Sequence, residues 1–484
     1  MKITFVNIRI DIYPPIGFCY LSAYLKKHFH DVEISLLELI MGDDKTNAIQ
    51  HLLVTKPDII GFTTYTVGFH DIQEFCRLLK QAAPELPIWL GGPHITSLPH
   101  TLPIEADAGI IGEGEETVAE LYKVYRDNKT VTRDLLARIP GICYHTQTKE
   151  ISVTPPRTYI ASLDTIPPPD LSILNMKWYT ARKHFMMMKG NFRGFILLTS
   201  RGCPCNCRFC QARVQWGKCR YHSAERVVEE LENLRRSYPF LDAINIIDDL
   251  FIGDRKRLRE IVRMILEKGL QKGISINVNG HVGMISEETL ELLKSINVVQ
   301  IAYGFESGSE RVLKFLKRGS ATLAQNLRAA TLTNQYGIGV GGQFMIGCID
   351  ESEDEIEETI AFIVNNRMSH VNVSATTPLP GTELWNICKE RGLVSEDMDW
   401  RRLDFGNIHN QDLLYTNQHM IPRERFRELL KKAQQACDKW NPVYSITGNL
   451  AYIYILPPQE FFRRAIRKMW KMICRILNKL RYNL

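Results

Sequence analysis

Through residue 125 the chain alternates short, nearly continuous apolar runs with longer stretches whose apolar residues recur every third or fourth position. The runs at 3–7, 32–37, 58–63, 88–91 and 108–111 predict strands, and the stretches at 18–29, 44–55, 69–83 and 116–125 predict helices. Strand and helix in alternation describe a parallel sheet covered by helices, an α/β arrangement that takes its ligand at the carboxyl ends of the strands. The loops there are Pro14-Pro15-Ile16-Gly17, Thr63-Thr64-Tyr65, Gly91-Gly92-Pro93-His94 and Gly112-Glu113-Gly114-Glu115-Glu116-Thr117. Glycine lets a backbone approach a large ligand closely, and a run of hydroxyls can hydrogen-bond it.

The alternation resumes further on. Runs at 195–199, 243–248, 275–279, 298–305, 339–347 and 370–376 predict strands, with helices between them such as 223–238, where Ser223 can cap. Six strand–helix units predict a partial barrel with its active groups at the carboxyl ends. Between the two regions, 126–192 reads as a connector, because Ile166-Pro167-Pro168-Pro169-Asp170 can continue neither a helix nor a central strand. Met186-Met187-Met188 reads as flexible filling of an interface. Residues 426–440 predict a helix, and 459–480 another with divided faces. Phe462, Ile466, Met469, Trp470, Ile473 and Leu477 lie on one side and Arg463, Arg464, Arg467, Lys468, Lys471 and Arg475 on the other. Such a basic helix suits the surface of an anionic membrane, or equally packing on its own barrel with a solvated charged face. The expected division is 1–130, 131–192 as linker, 193–386 as barrel and 387–484 as a helical region.

Composition narrows the setting more than the chemistry. At 484 residues, 45% hydrophobic and 24% charged, the chain is long enough for two or three ordinary globular cores. A net charge of +6 is too mild to argue for nucleic acid. The opening Met1-Lys2-Ile3-Thr4-Phe5-Val6-Asn7 has no secretion signal, so the twelve cysteines read as core residues and ligands in a reducing cytoplasm. No run of about eighteen apolar residues is present to span a bilayer.

The chemistry lies in Thr199-Ser200-Arg201-Gly202-Cys203-Pro204-Cys205-Asn206-Cys207-Arg208-Phe209-Cys210. Cys203, Cys207 and Cys210, with three and then two residues between them, can converge on one iron–sulfur cluster and leave one iron without a protein ligand. Structural zinc wants a second cysteine pair, which is missing downstream at a suitable distance, and a ferredoxin would bring a fourth ligand per cluster. Cys205 could replace either neighbour, but only 203, 207 and 210 give that spacing.

Following a predicted strand, this spacing resembles the radical S-adenosylmethionine enzymes. The resemblance implies a 4Fe-4S cluster on the three cysteines, with the amino and carboxylate groups of S-adenosylmethionine completing the open iron. Cleavage of the sulfonium then gives a 5'-deoxyadenosyl radical. It further implies that Gly304-Phe305-Glu306-Ser307-Gly308 seats S-adenosylmethionine through Glu306 and Ser307, that Asp248 of Asp248-Asp249 faces the site, and that Pro380 and Gly381 of Pro378-Leu379-Pro380-Gly381-Thr382 pass near the adenine. Read without the resemblance, Glu306 to Ser309 is a strand-to-helix turn capped by Ser309. The order of the earlier loops is similar to the Rossmann-like cobalamin-binding domain of one branch of these enzymes, which implies corrin contacts from Thr63, Thr64, Tyr65, Gly91, Gly92, His94, Gly112, Glu113, Gly114 and Glu115. The Asp-x-His-x-x-Gly run of histidine-on-cobalt proteins is missing, so His94 is expected as a hydrogen-bonding partner and not a cobalt ligand.

Together these readings imply methylation of an unactivated carbon in a small or lipid-like substrate, with a flavodoxin or ferredoxin as electron donor. Oxidative ring closure would use the same residues. An RNA methylthiotransferase would need a second cluster, for which Cys19, Cys76 and Cys143 are too dispersed. A cobalamin sensor would need the missing histidine motif. No catalytic acid or base is assigned.

Overall fold

The computed structural model describes residues 1–9, 13–40, 43–128, 131–181, 183–184, 191–405, 410 and 412–441. The expected methionine run at 186–188 and the helix at 459–480 lie outside the described residues. No described helix is long and apolar enough to cross a membrane.

The first sheet is built on β1 (Lys2–Arg9), β2 (Glu33–Ile40), β3 (Ile59–Thr63), β4 (Ile88–Gly91) and β5 (Ala108–Ile110), interleaved with α1 (Ile16–His28), α2 (Lys45–Val54), α3 (Phe69–Ala82), α4 (Pro93–Ser97) and α5 (Glu115–Asp127). Apolar β-rich runs buried on both faces make the inner strands parallel and central, as in β4, where only Gly91 is short of full burial, while β2 forms the edge. Side-chain caps fix helix starts, as where Asp44 accepts the amides of Thr46 and Asn47. The order β2-β1-β3-β4-β5 places the topological switch between β1 and β3, so the loops after these strands diverge and leave a crevice.

The sheet runs on past the point expected from the sequence. After α6 (Arg133–Leu136), β6 (Ile142–His145) and β7 (Ile151–Val153) add antiparallel to β5, so the first part of the expected connector belongs to the sheet. The hairpin turn between them puts Lys149 at φ 65°, and no Asn-Gly pair marks it. The triproline stretch does run extended, and Asp170 pins it to α1 through Ser22 and Lys26, both at 2.6 Å. A short helix α7 (Met176–Tyr179) and a ribbon of β8 (Lys183–His184) and β9 (Asn191–Phe192) lead into the second sheet.

That sheet has six parallel strands in sequential order: β10 (Gly194–Leu197), β13 (Ala243–Ile246), β14 (Ser275–Gly280), β15 (Val298–Glu306), β16 (Gly339–Ile346) and β17 (His370–Ala375). It is the expected partial (β/α)6 barrel. A ribbon of β11 (Ser200–Arg201) and β12 (Arg220–Tyr221), with α8 (Ala212–Trp216) inside its loop, follows the first strand. The outer helices are α9 (Ala224–Ser237), α10 (Arg255–Glu267), α11 (Glu287–Ser295), α12 (Glu310–Lys317), α13 (Leu323–Gln335), α14 (Glu353–Asn365), α15 (Glu383–Glu390) and α16 (Arg423–Asp438). The two halves share apolar packing: Val6, Ile60, Phe75 and Leu90 join one core with Val312, Leu316, Leu384 and Trp385. The carboxyl ends of both sheets therefore face a common space.

Candidate functional site between the two sheets

A cavity of about 470 Å³ occupies that space. One wall is the strand-end loops of the first sheet, with Tyr13 to Gly17, Thr63, Tyr65, Gly91, Gly92 and Gly112 to Glu115. The other is the barrel mouth, with Ile196, Leu198, Ser200, Arg201, Gln215, Trp216, Ile247 and Asp249. Gly92 has φ 98°, and a Cβ there would lie 2.7 Å from Thr63 Oγ1 and 2.8 Å from the Thr64 amide nitrogen. Gly112, at φ 77°, opens onto empty space. A floor of glycines and apolar side chains, with no histidine among the described residues that line it, fits a broad flat ring such as cobalamin. A second depression of about 530 Å³, beside Asp242, Lys294 and Asn297, lies at the amino ends of the barrel strands, opposite the chemistry.

The residues flanking the cysteine loop, Ser200 and Arg201 before it and Gln215 and Trp216 after it, line the barrel side of the cavity. Cys203, Cys205, Cys207 and Cys210 are half-buried free thiols on one loop. Burial pushes the Cys207 and Cys210 thiols up to about 11. The Cys203 thiol hydrogen-bonds Cys205, which raises Cys203 and lowers Cys205. Among the described residues no three ligand side chains converge on a point as for a single metal ion. A cuboidal cluster takes its thiolates at separate corners, so this wider soft-donor set fits iron–sulfur chemistry better than a zinc ion. Cys19, Cys76 and Cys143 are buried in unrelated elements and form no second thiol group.

Several residues expected at the ligands instead hold the loops. Asp248 is fully buried and accepts Thr199 N and Oγ1 at 2.5 Å and Ser200 Oγ at 2.6 Å, so it pins the entry to the cysteine loop and is absent from the cavity wall. Buried Arg257 completes the knot, donating to Thr199 O at 2.8 Å and Thr199 Oγ1 at 2.7 Å. The neighbouring Asp249 opens onto the cavity. Enclosure there, with the Asp248 charge beside it, pushes its carboxyl up to about 6. Ser307 is fully buried, its hydroxyl engaged with Thr359 Oγ1 at 3.1 Å and the Ser309 amide, so it shapes the turn while Ser309 caps α12. Thr64 likewise spends its hydroxyl on Gly91 O at 2.7 Å and is absent from the cavity wall.

His94, expected among the corrin contacts, does not line the cavity. It is fully buried between Thr66 Oγ1 at 3.2 Å and Thr101 Oγ1 at 3.1 Å, stacked on Phe69 and edge-on to Trp400. Glu113 and Glu115 line the cavity but direct their carboxylates to barrel arginines. Pro380 O accepts from Gln211 at 3.0 Å, and a Cβ on Gly381 would press on Val214 and Ser97, which places this turn beside the helix of the cysteine loop.

Glu306 sits in a strained position that its neighbours enforce. At φ 63° it follows a break in the β15–β16 register, and any Cβ on Gly304 would fall 2.2 Å from its Oε1. Lys317, nearly inaccessible, lies 3.1 Å from that oxygen. Burial alone would lower the ammonium, but Glu306 and the Cys207 and Cys205 thiols beside it hold it above the ordinary lysine range. The sequence reading missed His281, just past β14. Its Nδ1 accepts the Gly283 amide at 3.2 Å, so Nε2 carries the proton and is a buried donor with no partner among the described residues, close to the charges of Glu306 and Lys317. Its only sequence signal is a polar residue at a barrel strand's carboxyl end.

Comparison with known proteins agrees with this geometry. Residues 197–363 match the model of the radical SAM superfamily, and residues 5–122 that of the B12 binding domain. An uncharacterized methyltransferase of Pyrococcus horikoshii is 33% identical over 395 residues, covering 80% of this chain and 81% of its own. The anaerobic magnesium-protoporphyrin IX monomethyl ester cyclase of Rubrivivax gelatinosus is 26% identical, covering 81% and 69%. In fold, the radical S-adenosylmethionine methyltransferase TsrM of Kitasatospora setae, solved with cobalamin and a [4Fe-4S] cluster, superposes with a TM-score of 0.67 at 16% identity over 90% of this chain and 88% of that one. With a thiol loop at the barrel mouth and a glycine-floored crevice facing it, the chain belongs to the radical SAM enzymes that carry an N-terminal B12-binding domain, and its cofactors are a 4Fe-4S cluster, S-adenosylmethionine and cobalamin.

Proposed function

We propose that the protein transfers a methyl group to an unactivated carbon of a small or lipid-like substrate bound in the cavity between the two sheets. The observation that carries this reading is the shared cavity: one wall suits a corrin and the opposite wall is the barrel mouth, lined by the residues that flank the thiol loop. When bound, the cluster and S-adenosylmethionine supply a 5'-deoxyadenosyl radical, and cobalamin carries the methyl group.

The chain's own residues position and enclose. Cys203, Cys207 and Cys210 would hold the cluster. Glu306, the backbone at Gly304, Pro380 and Gly381, and the free Nε2–H of His281 would seat S-adenosylmethionine. Thr63, Tyr65 and the backbones of Gly91, Gly92, Gly112 and Gly114 would cradle cobalamin without a cobalt-ligating histidine. Phe5, Ile16, Ile196, Leu198 and Ile247 make the cavity largely apolar, which suits a lipid-like or aromatic substrate and excludes water from a radical. Asp249, at about 6, can hold or release a proton at the cavity edge near neutral pH. A flavodoxin or ferredoxin would deliver the electron.

Oxidative ring closure is a second reading, carried by the Rubrivivax relative's name. Mass spectrometry of metabolites from cells with and without the gene separates them. Methyl transfer predicts a gene-dependent product heavier than its precursor by one CH2 and labelled from methyl-deuterated methionine. A gene-dependent product lacking that label would reject methyl transfer.

A further inference from the structure

The base of the cysteine loop carries an unusual charge arrangement. Arg201 and Arg220 face each other across the β11–β12 ribbon, and like charges directly opposite on two strands repel. The neutralising carboxylates come from the other half of the molecule. Arg201 Nη1 donates to Glu113 Oε1 at 2.8 Å and Nη2 to Glu115 Oε1 at 2.5 Å, while Arg220 Nη1 donates to Glu113 Oε2 at 2.8 Å. The Arg201, Glu113 and Glu115 side chains are 4%, 4% and 5% exposed. The Arg201 guanidinium is sandwiched 5.4 Å from the Tyr20 ring and 5.2 Å from Trp216.

Glu113 also accepts the Ile160 amide at 2.9 Å, so both its oxygens are spent on protein partners. The segment carrying these carboxylates is also the cavity rim, where Gly112 and Gly114 present backbone. Only Gly202 separates Arg201 from Cys203.

We propose that Arg201 is a positioning residue that ties the cobalamin-binding rim to the base of the cluster loop, so that an ion pair from the barrel sets how tightly the other half holds cobalamin. The inference rests on the functional reading above. A planar fork is needed, because one lysine ammonium cannot span Glu113 and Glu115 as two parallel donors do.

The test is spectrophotometric titration of the full-length, cluster-reconstituted protein with hydroxocobalamin, alongside iron analysis. R201Q and E115Q should each weaken hydroxocobalamin binding at least tenfold and keep about four irons per chain, as in the parent protein. The R201Q/E115Q double variant should be no weaker than the poorer single one, because both changes remove the same clamp. R201K, which keeps the charge and the fold, should show an intermediate loss. Binding by R201K and R201Q within twofold of the parent protein, or fully additive losses in the double variant, would overturn the proposal. Failure of the parent protein itself to bind hydroxocobalamin would instead overturn the functional reading.

Discussion

Replacing His94 separates a structural histidine from a cofactor contact. Thr101 Oγ1 donates to Leu98 O at 2.7 Å, so it can only accept from His94, which fixes the proton on Nε2 and leaves Nδ1 to accept from Thr66. His94→Ala removes both hydrogen bonds at about 1 kcal/mol each and ring contacts with Phe69 and Trp400 worth about 1 kcal/mol more. The cavity left behind adds roughly another 1 kcal/mol, so the variant should be about 4 kcal/mol less stable at pH 7.5. Burial pushes the imidazole down to about 3 from its ordinary 6.5. A lowered folded-state value gives stability that is present above pH 6.5 and lost as the unfolded chain takes up the proton below it. Between pH 7.5 and 5.5 that loss is about 1.4 kcal/mol in the native protein and zero in the variant. Anaerobic urea denaturation at the two pH values should show the gap narrowing from about 4 to about 2.6 kcal/mol, while EPR of the Co(II) form is unchanged. A gap independent of pH, or a cobalt spectrum that loses nitrogen hyperfine structure in the variant, would refute the reasoning.

Other expectations follow from the same contacts. Gly92→Ala forces a Cβ at positive φ against Thr63 and Thr64. It should cost about 2–4 kcal/mol and weaken hydroxocobalamin binding while cluster iron is retained, measured by titration and iron analysis. Asp248→Asn removes the carboxylate charge that Thr199 and Ser200 donate to and the larger of the carboxylate charges near buried Arg257, and should lower the thermal midpoint of unfolding through a loss of about 2–4 kcal/mol. An unchanged midpoint would contradict its pinning role. Cys205→Ala should still assemble the cluster, whereas Cys203→Ala should not. Loss of the cluster's visible absorption in Cys205→Ala would reassign the ligand set.

Legibility in the sequence divides between backbone and side chain. Both parallel sheets were readable because their strands are apolar on both faces and their helices amphipathic, patterns that local sequence carries. The β6–β7 hairpin was not, since its strands are three and four residues long and Lys149 turns the chain where no Asn-Gly pair announces it. Strand-end positions could be picked out as a group from the sequence, but the hydrogen-bond partners of each side chain could not. Asp248, Ser307 and His94 are consumed by Thr199, Thr359 and Thr101, and Glu113 by arginines about a hundred residues away. Only the assembled fold brings such partners together. Asp249 and His281 show the reverse: a polar residue at a barrel strand's carboxyl end is the whole local signal, and the assembled fold puts Asp249 on the cavity wall and His281 near Glu306 and Lys317.

The central claim is that the thiol loop and the facing crevice act on S-adenosylmethionine together. Reconstituted full-length protein, loaded with cobalamin, reduced anaerobically and incubated with S-adenosylmethionine, should release both 5'-deoxyadenosine and S-adenosylhomocysteine, quantified by liquid chromatography and mass spectrometry. Formation of neither, in protein shown to carry its cluster and cobalamin, would contradict the account.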